Sequence, residues 1–307
     1  MTMNVDAILL FAFGGPAKFE EVKPFLTNVT QGHNIPQERI ATVIEQYKLI
    51  GGGSPLTAIT CCQAKSLEIF LNSKGISLKV YVGMRNWSPM ILDTLLEMKK
   101  DGVKKALGIV MSLFRSEASW DRYIQVLNQA RENIGTGAPE VELLNPKHDH
   151  PYLIDAIAER IMELQSFSAN ALKEDCYWIF SAHSIPLWMD QKSRYSQEIL
   201  NTAKLVANRF LKKNWTIAFQ SRSGSSEEAW LEPDINEKLK ELNSQGVRSV
   251  LTIPIGFVSD HVEVLYDLDI KAKKTAQRLK IDFFRSKTVG DHPKFIQLLA
   301  ELCMEKL

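Results

Sequence analysis

The chain has few groups that could cross-link it or anchor it in lipid: four cysteines in 307 residues, none in a CxxC pair. Neighbouring Cys61 and Cys62 are poor disulfide partners, because a bridge needs side chains directed at each other. Cys176 and Cys303 lie far apart in the sequence, and no secretory leader is recognisable, so a reducing, cytoplasmic compartment is expected. Long apolar runs are also lacking. The opening AILLFAF, Ala7 to Phe13, falls far short of the ~20 residues of a membrane span and reads as a buried strand. Nor is there an excess of charge of one sign. Thirty-seven basic residues against 36 acidic ones give a net charge of +1, which removes the electrostatic case for nucleic acid and for anionic lipid. A small molecule or another protein is the expected partner.

Several familiar catalytic patterns are missing too. FGGP (Phe13 to Pro16) and GGGSP (Gly51 to Pro55) are glycine-rich, but neither has the GxGxxG or GxxxxGK[ST] spacing that wraps a pyrophosphate. They read as tight turns, or as backbone lying close to a flat ligand. Ser181, His183 and Ser184 have no GxSxG elbow around them. His261 and Glu263 lack HExxH spacing, and the local reading of SDHVEV is a helix start capped by Ser259 or Asp260.

What the chain does have is repetition. DHPYLIDAIAERIMEL, from Asp149, returns as DHPKFIQLLAELCMEKL, from Asp291, and Asp before Pro suits a helix start. DGVKKALGIVMSLF, from Asp101, returns as QGVRSVLTIPIGFV, from Gln245. Two echoes in the same order indicate two related halves, 1–165 and 166–307, with helix 291–307 expected to pack across them.

Strand candidates in the first half are Ala7 to Ala12, Leu78 to Gly83, Ala106 to Met111 and Val141 to Leu144. In the second they are Tyr177 to Ala182, Thr216 to Gln220, Ser249 to Ile253 and Ile281 to Phe284. Helical patterns such as Ile40 to Lys48, Ala64 to Leu71 and Ile91 to Lys100 fall between strands. Continuous apolar strands alternating with amphipathic helices imply α/β halves, each with a doubly wound parallel sheet.

Ligands bind beyond the carboxyl ends of such strands. The loops expected there are FGGP, MRNW (Met84 to Trp87), SLFRSEASW (Ser112 to Trp120), HSIP (His183 to Pro186), QSRSG (Gln220 to Gly224) and GFVSDHVEVLYD (Gly256 to Asp267). Trp87, Trp120 and Trp230 in or near them would suit a large planar ligand. If SDHVEVLYDLDIKAKK is helical, Glu263 and Asp267 share a face, and Lys271 stands where a third acid would continue the row.

LLFAFGGP, IGGGSPL, GMRNWSP, FSAHSIP, AFQSRSGSSEEAWLEPD and PIGFVSDHVEVLYDLD, in this order over nearly the whole chain, resemble the motif series of ferrochelatases. The resemblance implies two Rossmann-like domains around a porphyrin cleft and insertion of Fe2+ into a porphyrin in haem synthesis. FLTNVTQG (Phe25 to Gly32), GMRNW and SEASWDRY (Ser116 to Tyr123) are most similar to the bacterial coproporphyrin III branch, whose members are monomeric or loosely associated. Protoporphyrin IX is the alternative substrate. A porphyrin or haem carrier without catalysis, and a cobalt or nickel tetrapyrrole chelatase, are competing readings.

By motif position, the resemblance assigns His183 and Glu263 to catalysis and metal contact, Asp267 to the metal path, and Phe13, Tyr47, Ser54 and Tyr123 to porphyrin contact. Neutral imidazole, with an ordinary pKa of roughly 6.5, can accept a pyrrole proton or ligate iron. One imidazole and one carboxylate form an incomplete set that can still release Fe2+. Two positions depart from some relatives: Phe13 stands where these have a tyrosine able to ligate iron, and Thr30 where these use a basic residue for a propionate. The cysteine spacing does not match that of iron–sulfur-bearing ferrochelatases, so no cluster and no prosthetic group are expected. The expected protein is a monomer with transient contacts to membrane or to haem-pathway enzymes.

Overall fold

The computed structural model describes residues 5–32, 36–166, 168–223 and 228–307. Gly224, which closes the QSRSG loop, and the SSE that follows it lie outside the described residues. In chain order the first elements are β1 (Ala7–Ala12), α1 (Val22–Thr30), α2 (Gln37–Leu49), α3 (Leu56–Ser73), β2 (Lys79–Met84), α4 (Ile91–Lys100), β3 (Lys105–Val110), α5 (Arg122–Ile134), β4 (Glu140–Leu143) and α6 (Pro151–Met162). Then come β5 (Tyr177–His183), α7 (Leu187–Ser193), α8 (Tyr195–Arg209), β6 (Trp215–Gln220), α9 (Ile235–Ser244), β7 (Ser249–Ile253), α10 (Val262–Leu265), α11 (Lys273–Arg278), β8 (Asp282–Arg285) and α12 (Pro293–Met304).

The strands form two parallel sheets of four, ordered β2-β1-β3-β4 and β6-β5-β7-β8. The two orders are the same pattern used twice, as the repeated sequence implies. AILLFA becomes β1, paired with β2 along its whole length and with β3 from Ala7 to Phe11, and buried throughout. Each sheet has its topological switch between the first and third strands of its half, where an open α/β sheet offers a ligand crevice. Phe13 follows β1, and His183 ends β5, so both residues stand at that switch point in their own half.

Alternation along the strands explains the two cores. Ala7, Leu9 and Phe11 pack with Ile91, Leu95 and Met98 of α4 and with Tyr123, Leu127 and Ala130 of α5. Ile8 and Leu10, equally buried, point to the opposite face. In the second sheet Ile179, Ala218 and Val250 pack with Ile235, Leu239 and Leu242 of α9 and with Val264 of α10. Trp178, directed the other way, meets the ring of Phe210 edge to face at 5.0 Å. Such cores tolerate little loss of volume, and Leu9→Ala would cost about 2–5 kcal/mol.

The compact units are interleaved in sequence. One comprises Met1–Ser112, Ala118–Pro146 and Gly290–Leu307; the other comprises Leu113–Glu117 and Lys147–Val289. This differs from a single cut at 165/166. Helix α6 packs with α8 in the second unit, and α12 packs with α3 in the first, so each DHP helix belongs to the unit built mainly from the other half. The start of each is capped by histidine rather than by the expected aspartate. His150 Nδ1 accepts the Tyr152 N–H at 3.2 Å, and His292 Nδ1 accepts the Lys294 N–H at 3.3 Å, with Pro at the first helical position.

The glycine-rich turns pack on each other. A Cβ on Gly53 would sit 2.2 Å from the Ala17 carbonyl oxygen, and one on Gly15 would meet Ser54 at 3.0 Å. Gly14, Gly51 and Gly52 have positive φ, so the first of the sequence-based readings, tight turns that need glycine, is what these segments show.

Candidate active site

The second unit gathers the titratable residues. His183 is held at the end of β5: the Ser184 N–H donates to the Gln220 carbonyl at 2.8 Å, and the Tyr195 hydroxyl donates to the His183 carbonyl at 3.2 Å. The ring Nδ1 lies against the Ser184 carbonyl, which can only accept, so Nδ1 carries a proton. That bond fixes the tautomer and turns Nε2 towards Glu263, whose Oε1 is 3.3 Å away.

Glu263 is placed by groups that local sequence did not single out. His261 Nδ1, rather than Ser259 or Asp260, accepts the Glu263 N–H at 3.2 Å and caps α10. The ring of Phe257 packs edge to face on His261 at 4.6 Å. Burial holds His261 below its ordinary pKa, against the pull of Glu263 and Asp260, so it stays a neutral acceptor. The Gln220 side-chain amide donates to the Glu263 carbonyl.

Beyond α10 the backbone widens into a π-helical turn, Asp267–Ala272, in which the Lys271 N–H reaches the Tyr266 carbonyl at 2.9 Å. Val264, Leu268, Ala272 and Ala276 are buried at every fourth position. An α-helix overshoots a full turn by about 40° in four residues, so such a stripe would drift around it. The wider turn absorbs that drift. Glu263, Asp267 and Lys271 therefore stay in one row beside the buried stripe, as the spacing suggested.

Electrostatics changes one expectation. Burial by itself disfavours a charged His183, but the Glu263 carboxylate, the Ser184 carbonyl and Asp267 outweigh it and push the imidazole up to about 9. With Glu263 ionised, His183 is therefore an imidazolium near neutrality, where sequence reasoning expected the neutral base. The side chains are 27% and 39% exposed, so solvent screens the pair in part. Asp267 is raised chiefly by burial and further by Glu263; the Ser221 hydroxyl donates to it and opposes the rise. Among the described residues no group of three His, Cys, Asp or Glu side chains converges as a metal cage.

The first unit gathers rings. Phe13 is 37% exposed, an unusual state for a phenylalanine at a strand end. It packs edge to face with Phe25 at 6.3 Å, and Phe25 in turn meets Tyr47 at 6.2 Å and Trp87 at 6.0 Å. The Arg85 guanidinium lies over Phe13 at 4.8 Å and over Tyr123 at 5.2 Å, and donates to the Ala118 carbonyl at 3.2 Å. Burial pushes the Tyr123 phenol up to about 12, so it remains neutral. Ser54 is buried and bonded to the Leu56 N–H at 3.3 Å. The Thr30 hydroxyl is turned back onto its own helix, donating to the Leu26 carbonyl at 2.8 Å.

The sequence-predicted residues thus fall into two sets. His183, Glu263 and Asp267 come together in the second unit, while Phe13, Tyr47, Ser54 and Tyr123 belong to the first. Tyr195 was missed as a contributor; Arg85, Gln220 and His261 lie in the loops expected at the ligand end, but sequence reasoning gave none of them its positioning role.

A family model described as Ferrochelatase matches residues 5–307. The chain is 39% identical over 306 residues to "Coproporphyrin III ferrochelatase" of Mycobacteroides abscessus, covering 99% of this chain and 89% of that one. It is 37% identical over 304 residues to "Ferrochelatase" of Rhodopirellula baltica, covering 98% and 86%. Among solved structures, the sirohydrochlorin chelatase SirB from Bacillus subtilis subspecies spizizenii, in complex with cobalt, superposes with a TM-score of 0.60 at 11% identity, covering 100% of this chain and 95% of that one; this likeness shows a shared fold. The full-length family match and the identity to named relatives show that the chain belongs to the ferrochelatase family.

Proposed function

We propose that the protein inserts Fe2+ into coproporphyrin III, with His183 and Glu263 as the pair that handles metal and protons. The observation that carries this reading is the 3.3 Å approach of His183 Nε2 to Glu263 Oε1 with Nδ1 committed to a carbonyl. Deprotonated, such a ring offers its lone pair only on the Glu263 side. Relatives named as coproporphyrin III ferrochelatases support the choice of porphyrin.

Metallation expels two pyrrole protons for each Fe2+ taken in. A cation arriving at Glu263 competes for the carboxylate that holds the imidazolium, so His183 releases its Nε2 proton to the solvent that reaches this partly exposed pair as the metal approaches. The freed Nε2 then accepts a pyrrole proton or contacts iron, and Glu263 is the second base within reach. Asp267, raised by burial, is a better proton acceptor than an exposed carboxylate and continues the row towards Lys271. Two or three separate donors hold Fe2+ loosely enough for the porphyrin to win it. Phe13 supplies exposed ring surface for the macrocycle, and Tyr47 and Tyr123, both buried, support it through Phe25 and Arg85.

The same reading has a cytoplasmic monomer working without a prosthetic group or iron–sulfur cluster. Burial pushes the Cys303 thiol up to about 12, which keeps it protonated and a poor ligand for iron. Among the described residues no helix is long and apolar enough to cross a membrane.

Side-by-side anaerobic initial rates with Fe2+ and either coproporphyrin III or protoporphyrin IX test the reading. Faster metallation of coproporphyrin III is expected. Equal or faster turnover of protoporphyrin IX overturns the substrate, absence of turnover with both overturns the activity, and undiminished turnover in His183→Ala overturns the residue assignment.

A further inference from the structure

The acid-bearing segment is helical from Val262 to Arg278 but is not a regular helix: α10 gives way to the π turn, where the hydrogen-bond ladder changes register, before α11 resumes at Lys273. The apolar stripe of Val264, Leu268 and Ala272 sets how deep the segment sits, but rounded side chains resist sliding and rotation poorly. A second device does so. Arg285, the last residue of β8, sends Nε and Nη2 as a fork onto the two carboxylate oxygens of Asp269, at 2.6 and 2.7 Å. Its Nη1 reaches Asp260 Oδ1 at 3.3 Å and the Ser286 carbonyl at 3.2 Å. The guanidinium side chain is 14% exposed.

These two carboxylates bracket the row. Asp260 precedes Glu263 by three residues, and Asp269 follows Asp267 by two, so one strand-end cation grips both sides of the segment that carries the acids. Neither aspartate is directed at His183; both are spent on Arg285. The 3.3 Å separation of His183 and Glu263 is already long for a hydrogen bond, so a small rotation of the segment would open it.

We infer that Arg285 is a positioning residue for the metal-handling acids: its fork on Asp269 and its second contact to Asp260 hold the turn so that Glu263 stays within reach of His183. This rests on the reading of His183 and Glu263 given above. A planar fork can do this and a lysine cannot, because the hold comes from two parallel bonds in one plane.

Steady-state kinetics of the full-length protein under anaerobic conditions, with porphyrin affinity from fluorescence quenching and a thermal melt, tests the clamp. Arg285→Gln should raise KM for Fe2+ about tenfold, as displacement of a reacting group by a fraction of an ångström does, and leave porphyrin affinity within about twofold of wild type. Arg285→Lys should recover little. Asp269→Asn should resemble Arg285→Gln, with Asp260→Asn weaker. If Arg285→Gln does not fold, the Asp269→Asn split between iron and porphyrin decides alone. A folded variant with wild-type KM for Fe2+, a loss shared equally by both substrates, or full recovery by lysine overturns the proposal. Glu263→Gln measured alongside separates the layers. Normal turnover there removes the pair and the clamp together, whereas an inactive Glu263→Gln beside a normal Arg285→Gln removes the clamp alone.

Discussion

The two units use one plan around two opposite sets of residues. Both sheets run in the same order, both place a singled-out residue at the carboxyl end of the first strand of the half, and both follow the third strand with a π-helical turn, Glu117–Asp121 in one half and Asp267–Ala272 in the other. Around the first switch point the residues are Phe13, Phe25, Tyr47, Trp87 and Tyr123, with one arginine laid against the rings. Around the second they are His183, Glu263, Asp267 and His261, with an arginine gripping the backbone segment through carboxylates. One surface suits a flat apolar ring and the other suits a cation and protons. A duplicated scaffold lets these demands be met separately, because a carboxylate row would be costly to desolvate among aromatic rings.

If this division holds, damage to either side should show in only one substrate. Glu263→Gln should lower turnover the most, by about 10²–10⁴-fold, the usual worth of a positioned acid or base, with porphyrin still bound; anaerobic absorbance assays measure it. Phe13→Ala should weaken porphyrin binding about tenfold through lost ring contact, without moving KM for Fe2+; fluorescence titration reads the first and initial rates the second. Asp267→Asn should raise KM for Fe2+ about threefold, as expected of one partly screened charge, and change porphyrin affinity less. A larger change in porphyrin affinity would remove Asp267 from the metal path.

The smallest effect concerns pH. His183 has a folded pKa of about 9, above the ordinary value of roughly 6.5, so its contribution to stability is complete below about 6.5 and is lost as pH rises through about 9. Solvent at Glu263 makes that loss modest. In Glu263→Gln the main opponent of burial is gone, and His183 should titrate well below 9 by NMR, with the alkaline loss of stability removed. An unchanged titration would break the link between the two residues.

Much of this was legible beforehand. The bounds read for β1 and β7 coincide with the observed strands, since β-rich runs preceded by a charged residue (Asp6, Arg248) and followed by glycine- or proline-bearing turns leave little choice. Repetition foretold two equal sheets. It could not foretell that α6 and α12 each join the unit built mainly from the other half, because a repeated helix pattern carries no record of the sheet it covers. The same limit hid the state of His183, whose charge depends on Glu263, 80 residues away. Arg285 was hidden for a related reason. In FFRS it looks like an ordinary basic residue at a strand end, and its importance lies in partners 16 and 25 residues earlier. The caps were misread because Ser and Asp are the commoner capping residues, while His150, His261 and His292 do the capping.

Single-turnover metallation by His183→Ala, preloaded with coproporphyrin III and mixed anaerobically with Fe2+, tests the division of labour most directly. Porphyrin should bind as in the wild type, seen by fluorescence quenching, and its spectrum should then fail to change on the wild-type timescale. Weakened porphyrin binding with normal metallation of whatever porphyrin is bound would contradict it.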